Sequence, residues 1–249
     1  MRRSILVDPK IIIFSGSGLS AESGVPTFRG KEGLWNGYRI EEVCSEHSWL
    51  KNYEQVHLFY NHMREALQKV EPNVAHQSIA KIQRQYGDNV LVVTQNVDDL
   101  LERSGVEGVL HLHGQLTKME CDVCGHAWTQ GYKPFDYALK NQTCKNCGSH
   151  DQIKPHIVFF GGRAPDYEIL YEWLEYAHHP DSIVIVCGTQ GNVVPIDSLL
   201  QDALATKILN NFESSDYINH NNFDHVFFEP ATTAWPKIES YIEQNWLIV

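Results

Sequence analysis

Seven runs of continuous apolar residues, rich in β-branched side chains, constrain the fold of this 249-residue chain more than any other feature. A strand with one face in solvent alternates apolar and polar residues, whereas a strand covered by helices on both faces is apolar throughout. The runs therefore predict a sheet that is buried on both faces and mainly parallel. They cover residues 10–14, 89–94, 109–112, 156–160, 182–187, 206–209 and 225–228.

Segments with helical periodicity lie between these runs. In the first of them, Trp49, Tyr53 and Val56 share one apolar stripe. Strands that alternate with helices indicate a doubly wound α/β fold with a Rossmann-like sheet. Helices are predicted at residues 49–69, 75–86, 167–177, 196–205 and 235–246.

Four of the six cysteines have the spacing of a paired zinc knuckle, with Cys121 and Cys124 in one CxxC turn and Cys144 and Cys147 in another. Two such turns can close a tetrahedral site around Zn²⁺ and leave no open position, so the metal is predicted to be structural. Two disulfides or unrelated thiols are the alternative, which an intracellular chain disfavours. The segment 117–155 then forms a small zinc-binding module inserted between residues 1–116 and 156–249 of the Rossmann-like domain.

Charge and hydropathy exclude several classes of protein. The net charge of −11 argues against sequence-independent nucleic-acid binding, which needs a basic surface. No run approaches the roughly 18 apolar residues of a membrane span. The N-terminal apolar segment is broken by Asp8, Pro9 and Lys10, which excludes a signal peptide. We therefore expect a cytoplasmic monomer that binds neither nucleic acid nor membrane.

A glycine-rich turn follows the first predicted strand. Gly16, Gly18 and Ala21 have the spacing of a dinucleotide-binding fingerprint, although a plain strand-to-helix turn has the same appearance. A dehydrogenase would place a second strand ending in an acidic residue about 20 residues later. Residues 24–35 look like a loop instead, so hydride transfer is not the reaction that this turn indicates.

Polar residues follow the next two predicted strands. Gln95, Asn96 and Asp98 come after one, and His111 and His113 lie at the end of the other. Ligands of open α/β sheets bind at such carboxyl edges. His113 is a candidate general base, since its ordinary pKa is near neutrality. Core histidines, or a metal pair of His111 with His113, remain alternatives.

Six motifs in order give the chain a family resemblance. They are residues 16–29, 94–98 and 113–114, the four cysteines, residues 154–161 and residues 188–195. This series resembles the sirtuin family of NAD-dependent protein lysine deacylases. The resemblance implies that NAD is consumed, and that nicotinamide, O-acyl-ADP-ribose and free lysine are formed from acylated-lysine protein substrates.

The resemblance also implies roles for individual residues. His113 matches the base that activates a ribose hydroxyl, and Asn96 is the second catalytic residue. Asp98 matches the contact to the nicotinamide carboxamide. The cofactor contacts it implies are Gly16, Gly18, Ser20, Ala21, Glu22, Pro26, Phe28, Arg29, Gln95, Asn96, Asp98, Gly188, Thr189, Gln190 and Asn211. The substrate contacts it implies are Tyr60, Met63, Val158, Phe160, Gly161 and Val193.

Two positions depart from the family pattern. Gln190 replaces a serine on the cofactor side, and Gly162 replaces a glutamate beside the peptide groove. The motifs look like those of the subgroup that removes succinyl groups, which carries an arginine three residues after the tyrosine that matches Tyr60. That position is Met63 here, and Arg64 lies about 100° further around the helix. We therefore predict a preference for neutral acyl groups over succinyl.

Two other functions share these motifs. An NAD glycohydrolase or ADP-ribosyltransferase would cleave the same bond and use another acceptor. A non-enzymatic zinc ribbon or NAD sensor would keep binding residues and lose the base. The presence of His113 and of the predicted acyl-tunnel residues favours deacylation.

Overall fold

The computed structural model describes residues 8–27, 34–35, 37–138, 143–150 and 152–246. Its main sheet has six strands, and all neighbouring strands pair in parallel. These strands are β1 (Ile11–Ser15), β4 (Val90–Thr94), β5 (Leu110–His111), β9 (Ile183–Cys187), β10 (Thr206–Asn211) and β11 (His225–Phe228). The remaining strands are β2 (Leu34–Trp35), β3 (Tyr38–Arg39), β6 (Gly114–Cys121), β7 (Ala127–Thr129) and β8 (Ile153–Ile157).

The α-helices of the described residues differ widely in length. Three long ones are α3 (Tyr53–Leu67), α4 (Val74–Tyr86) and α8 (Ala231–Asn245). The shorter ones are α1 (Gly18–Ala21), α2 (Ile40–Val43), α5 (Leu100–Ser104), α6 (Tyr167–Leu174) and α7 (Ile196–Leu199). Single 3₁₀ turns lie at Gly87–Asn89, Glu175–His178 and His220–Asn222.

The strand order of the main sheet is β11-β10-β9-β1-β4-β5. The chain thus builds outward from β1 in one direction, then returns to the other side of β1 and builds outward again. This is the doubly wound order of a Rossmann-type sheet, so the predicted fold class is confirmed. The order reverses between β1 and β9, which is where such sheets bind their ligands.

Two apolar layers cover the main sheet. Ile11 and Ile13 of β1 face the layer that contains α4 and α8. Ile12 and Phe14 face the opposite layer, which contains α6 and α7. All four of these β1 side chains are fully buried, which explains why the strand is apolar at every position.

A second sheet carries the cysteines. It has the order β7-β6-β8, and both pairs are antiparallel. Met119, Phe135 and Ile153 form its own small core. Such a core buries little apolar surface, so a module of this size gains stability from a bound metal.

Several predicted element boundaries were wrong. The apolar run 156–160 is not a strand of the parallel sheet, because β8 ends at Ile157 and pairs antiparallel with β6. Phe160 instead forms an isolated bridge with Ser45. The helix predicted at 196–205 is only the short α7. The loop 24–35 contains the start of a small hairpin, since β2 pairs with β3.

No helix among residues 8–27, 34–35, 37–138, 143–150 and 152–246 is long and apolar enough to cross a membrane.

Candidate active site

A cavity of about 680 Å³ opens at the carboxyl ends of β1, β4, β9 and β10. Most of the predicted cofactor and substrate residues line it. On the cofactor side these are Gly16, Gly18, Ala21, Glu22, Pro26, Gln95, Asn96, Asp98, Gly188, Thr189, Gln190 and Asn211. On the substrate side they are Met63, Val158, Phe160, Gly161 and Val193, together with His113.

Two predicted residues have a different position. Ser20 and Tyr60 are fully buried and do not line the cavity. Ser20 acts on the site through its hydrogen bonds, whereas Tyr60 packs in the core between Phe59 and Phe159. Phe28 and Arg29 lie outside the described residues.

The glycine-rich turn is closely packed against the end of β9. A Cβ added to Gly16 would lie 2.7 Å from the carbonyl oxygen of Gly188, and one added to Gly18 would lie 2.6 Å from the Cα of Gly188. The Gly18 amide also donates to the Gly188 carbonyl at 2.8 Å. Contact between two backbone segments therefore requires glycine here, in addition to any approach of a phosphate.

A hydrogen-bond network centred on Ser20 fixes two polar residues of the cavity wall. The Asn96 amide donates to Ser20 Oγ at 3.2 Å, and His76 Nε2 lies 3.3 Å from the same oxygen. The Ser20 hydroxyl also bonds the Asp98 carboxyl. Burial lowers the pKa of His76 to about 4, so this histidine is neutral. The Leu100 amide, 3.2 Å from Asp98 Oδ1, completes the support.

The Asp98 carboxyl has a pKa above its ordinary value. Burial raises the pKa of this carboxyl, against the hydrogen bonds from Ser20 and the Leu100 amide that lower it. A carboxyl with a raised pKa at a cavity wall is suited to exchange hydrogen bonds with a polar ligand group such as a carboxamide.

The hydrogen bonds of His113 define its tautomer. Nδ1 lies 3.0 Å from the carbonyl oxygen of Gln95, which can only accept, so Nδ1 carries a hydrogen. Burial lowers the pKa of His113, which keeps the ring neutral and leaves a lone pair on Nε2. The Tyr167 hydroxyl, 3.0 Å away, donates to that lone pair. His113 therefore has the protonation state that a general base needs.

His111, two residues earlier, is charged where His113 is neutral. Its Nδ1 lies 2.9 Å from the carbonyl oxygen of Asn96 and its Nε2 lies 2.7 Å from a carboxylate oxygen of Glu102. Both partners are acceptors, so both ring nitrogens carry hydrogens and the ring is an imidazolium. Burial lowers the pKa of His111, but the hydrogen bond and charge of Glu102 outweigh this and raise it overall.

This pairing excludes the predicted alternative in which His111 and His113 hold a metal together. Both ring nitrogens of His111 are occupied by Asn96 and Glu102. Across the described part of the chain, the four cysteines are the one cluster of side chains that could ligate a metal ion. His111 is instead a cation and His113 a neutral base, because their environments shift the two pKa values in opposite directions.

We expect the Glu102–His111 pair to make stability depend on pH. A raised histidine pKa stabilises the fold fully below its unfolded value, about 6.5, and the effect is lost as the pH rises through the folded pKa. Glu102→Gln should therefore lower the free energy of unfolding by about 1–3 kcal/mol at pH 6 and by less at pH 9. Urea unfolding at both pH values measures this, with the exposed Glu107→Gln as control. An equal loss at both pH values would exclude a charged His111.

The cofactor side of the cavity is held rigid by paired amides. Thr189 donates its backbone N–H to Asn211 Oδ1 at 3.0 Å, and the Asn211 amide donates to the Thr189 carbonyl at 2.8 Å. Gln95 reaches across from β4 and donates to Thr189 Oγ1 at 2.9 Å. These contacts connect the ends of β4, β9 and β10, so the polar groups that face a ligand are preorganised.

One face of α3 forms an apolar wall of the cavity. Met63, Ala66 and Leu67 line it at helical spacing, and Val70 extends it just beyond the end of the helix. Arg64 lies on another face, as the helix register predicts, and is fully buried. A neutral or apolar ligand group is therefore the kind that this wall accommodates.

The Arg64 guanidinium is fixed by contacts away from the cavity. It donates to the carbonyl oxygen of Leu116 at 2.8 Å and to Asn61 Oδ1 at 3.0 Å, and it contacts the sulfur of Met119. Leu116 and Met119 belong to β6. Arg64 therefore connects α3 to the second sheet and does not line the cavity.

The four cysteines form a compact cluster away from the cavity. Their Sγ atoms all lie within 4.8 Å of one another, and the Cys121–Cys147 and Cys124–Cys144 pairs are 3.6 Å apart. Tetrahedral Zn²⁺ with Zn–S bonds of about 2.3 Å requires thiolates about 3.8 Å apart, so the cluster fits zinc. Because four thiolates leave no open position, the metal would support the fold and take no part in chemistry.

Sequence reasoning missed three residues of the site. Glu102, His76 and Tyr167 contact His111, Ser20 and His113 from other helices. Glu102 and His76 lie on α5 and α4, and Tyr167 begins α6. None of them belongs to a motif, since each meets its partner only after the chain has folded.

Comparisons with known proteins agree on one family. The model of the Sir2 family matches residues 16–195. An NAD-dependent protein deacylase of Helicobacter hepaticus is 42% identical, over 96% of this chain and 99% of that protein. One from Campylobacter jejuni subsp. jejuni is 40% identical over 94% and 95%. A solved Sir2 homologue–NAD complex aligns with a TM-score of 0.79 at 31% identity, over 94% of this chain and 90% of that one. The chain belongs to the Sir2 family.

Proposed function

We propose that this chain is an NAD-dependent protein lysine deacylase. The observation that carries the proposal is the neutral His113, whose Nε2 lone pair lies at a cavity that also contains the glycine-rich turn and an apolar wall. A base near the polar end of a mostly apolar cavity suits an acyl-transfer reaction to a hydroxyl. The relatives named as NAD-dependent protein deacylases support the same reaction.

The cavity fits NAD in position and in chemistry. It lies where the strand order reverses between β1 and β9, at the carboxyl ends of the strands. Asn96, Asp98, Thr189 and Asn211 are buried and line this cavity, where hydrogen bonds to neighbouring residues fix their polar groups. When bound, NAD supplies an ADP-ribosyl group that accepts the acyl group after nicotinamide has left.

This chain's residues have separate tasks in the proposed reaction. Asp98 binds the carboxamide, and Asn96, fixed by Ser20, orients the ribose. His113 takes the proton of a ribose hydroxyl at Nε2, while its Nδ1–H stays on the Gln95 carbonyl. One water is consumed as the amide bond breaks, and the products are nicotinamide, O-acyl-ADP-ribose and a free lysine.

The mouth of the cavity is suited to a peptide. Phe160 and Val193 line it and are 46% and 36% exposed, which is unusual for large apolar side chains. The Phe160 amide and carbonyl pair with Cys44 and Glu46, which holds this segment extended. An extended segment can pair with a substrate backbone and place a lysine between these side chains.

The acyl pocket is proposed to prefer neutral groups. Across the described ranges, the cavity-lining residues include no lysine and no arginine. Arg64 is fixed by Leu116 and Asn61 and is not free to turn inward. A succinyl carboxylate would therefore be desolvated without a cationic partner, at a cost of several kcal/mol.

We expect kcat/KM to be at least tenfold higher for acetyl- or myristoyl-lysine than for succinyl-lysine in one peptide sequence. Met63→Arg should raise succinyl activity, because Met63 lines the cavity. The matched control is His62→Arg, which adds the same charge at the adjacent exposed position. A wild-type succinyl value tenfold above the others would refute the preference for neutral groups.

Incubation with an acetyl-lysine peptide and NAD separates the candidate functions. A deacylase forms free lysine peptide, nicotinamide and O-acetyl-ADP-ribose in equal amounts, which mass spectrometry can quantify. Nicotinamide without deacetylated peptide would indicate a glycohydrolase or, if the peptide gains mass, an ADP-ribosyltransferase. Absence of both products from a zinc-loaded protein that binds NAD would indicate a sensor.

A further inference from the structure

Tyr167 contacts the proposed base directly. It is the first residue of α6 and lines the cavity, and its hydroxyl oxygen lies 3.0 Å from His113 Nε2. The two rings are 6.2 Å apart and inclined by 36°, so the contact is made by the hydroxyl and not by ring stacking. The Tyr171 ring, 6.4 Å from that of Tyr167, packs beside it.

The contact at the other ring nitrogen of His113, Nδ1, determines which atom donates in the hydrogen bond between Tyr167 and Nε2. The Gln95 carbonyl takes the hydrogen of Nδ1, so Nε2 of the neutral ring has only a lone pair to offer. Burial raises the pKa of Tyr167, which keeps its hydroxyl protonated. The phenol therefore donates to Nε2 and holds the imidazole at its second nitrogen.

A phenol suits both protonation states of Nε2. It donates to the lone pair of the neutral ring, and its oxygen can accept from Nε2–H once His113 is protonated. In the proton transfer, the O–H bond of the ribose breaks, an N–H bond forms at Nε2, and the electron pair stays on the ribose oxygen. The imidazolium that results needs an acceptor in a buried site.

We propose that Tyr167 is a positioning residue for His113. The Tyr167 hydroxyl donates to His113 Nε2 in the ligand-free enzyme and releases that nitrogen to the ribose hydroxyl when substrate binds. After the proton transfer, the Tyr167 oxygen accepts a hydrogen bond from Nε2–H. The inference rests on the proposed function, because His113 must be the base. It adds a residue from α6, in a segment without any of the motifs that identify the family.

The first test needs no substrate. In two-bond ¹H–¹⁵N spectra of the ligand-free protein, His113 is expected to show a protonated Nδ1 and an unprotonated Nε2. Tyr167→Phe should shift the Nε2 signal, because it removes the donor, and leave the tautomer unchanged. Tyr171→Phe is the matched control, since Tyr171 lies one turn later and is 51% exposed. An Nε2 signal that is the same in wild type and Tyr167→Phe would overturn the proposal.

The second test separates the two chemical stages. Exchange of labelled nicotinamide into NAD, with acyl-peptide present, reports the stage before the base acts. Tyr167→Phe should lower kcat for deacylation about five- to tenfold, keep the KM for NAD within about twofold, and leave exchange unchanged, as an interaction made only late in the reaction would. Equal losses of exchange and deacylation, or an unchanged kcat, would contradict the positioning role.

The outcomes also distinguish this inference from the proposed function. If the Nε2 signal differs between wild type and Tyr167→Phe but the wild type has no deacylase activity, the contact stands and the proposed function fails. If His113→Ala is inactive while Tyr167→Phe has wild-type kcat, the proposed function stands and the positioning role fails.

Discussion

His113→Ala is expected to lower kcat for deacylation by about 10²–10⁴, the usual contribution of a positioned general base. The ring is held at Nδ1 by the Gln95 carbonyl and has its lone pair at the cavity. Because burial lowers the pKa of His113, the acid limb of kcat/KM should also lie below pH 6.5 in wild type. Steady-state rates at saturating NAD, from pH 5 to 9, measure both.

The control for this result is His62→Ala, which removes an exposed histidine from the middle of α3. Both variants should keep the wild-type zinc content and thermal midpoint. Turnover near the wild-type rate in His113→Ala would exclude it as the base. An acid limb above pH 6.5 would show instead that the ring is stabilised as a cation.

Cys121→Ala is expected to abolish zinc binding and to lower stability by about 4 kcal/mol, or about 8–16 °C in the thermal midpoint for a chain of this length. The energy of binding a metal at a closed thiolate site is folding energy. Without the metal, the module is stabilised only by its own small apolar core around Met119, Phe135 and Ile153, which cannot replace the lost binding energy. Metal analysis and thermal unfolding measure the two effects.

The matched control for the zinc site is Val123→Ala, which lies inside the same CxxC turn and is 54% exposed. It should keep one zinc per chain and the wild-type midpoint. Freshly purified wild type without zinc would contradict the assignment, as would a Cys121→Ala variant that remains fully folded and active.

The sequence was sufficient for the main sheet and for most of the cavity. Strands such as β9 are apolar at every position because both faces are covered, and this pattern is visible without a structure. The polar residues at the ends of β4 and β5 were predicted to form a ligand site because ligands of open α/β sheets bind at the carboxyl edge, whereas Gly188 and Thr189 after β9 were implied by the family resemblance.

The errors have identifiable physical causes. The apolar run 156–160 has the composition of a buried strand, but Gly114 of β6 pairs with Ile157 and the chain then turns to meet Ser45. Composition cannot distinguish a strand of the parallel sheet from an apolar segment that packs against a helix, as Ile157 and Phe159 pack against α3. The network that sets the charges of the two histidines was also unpredictable, because Glu102 and Tyr167 come from helices that carry no motif.

The helix α3 has two faces with different partners. His57 bonds the Ile153 carbonyl, Asn61 exchanges two hydrogen bonds with the Phe135 backbone, and Arg64 bonds the Leu116 carbonyl, so this face holds the cysteine-bearing sheet. Met63 and Leu67 lie on the face that lines the cavity. Mutations that change the acyl group accepted can therefore accumulate on one side of a single helix while the other side continues to anchor the module. A change of substrate would then leave the contacts between α3 and the cysteine-bearing sheet in place, which makes this helix the natural place for such a protein to diverge.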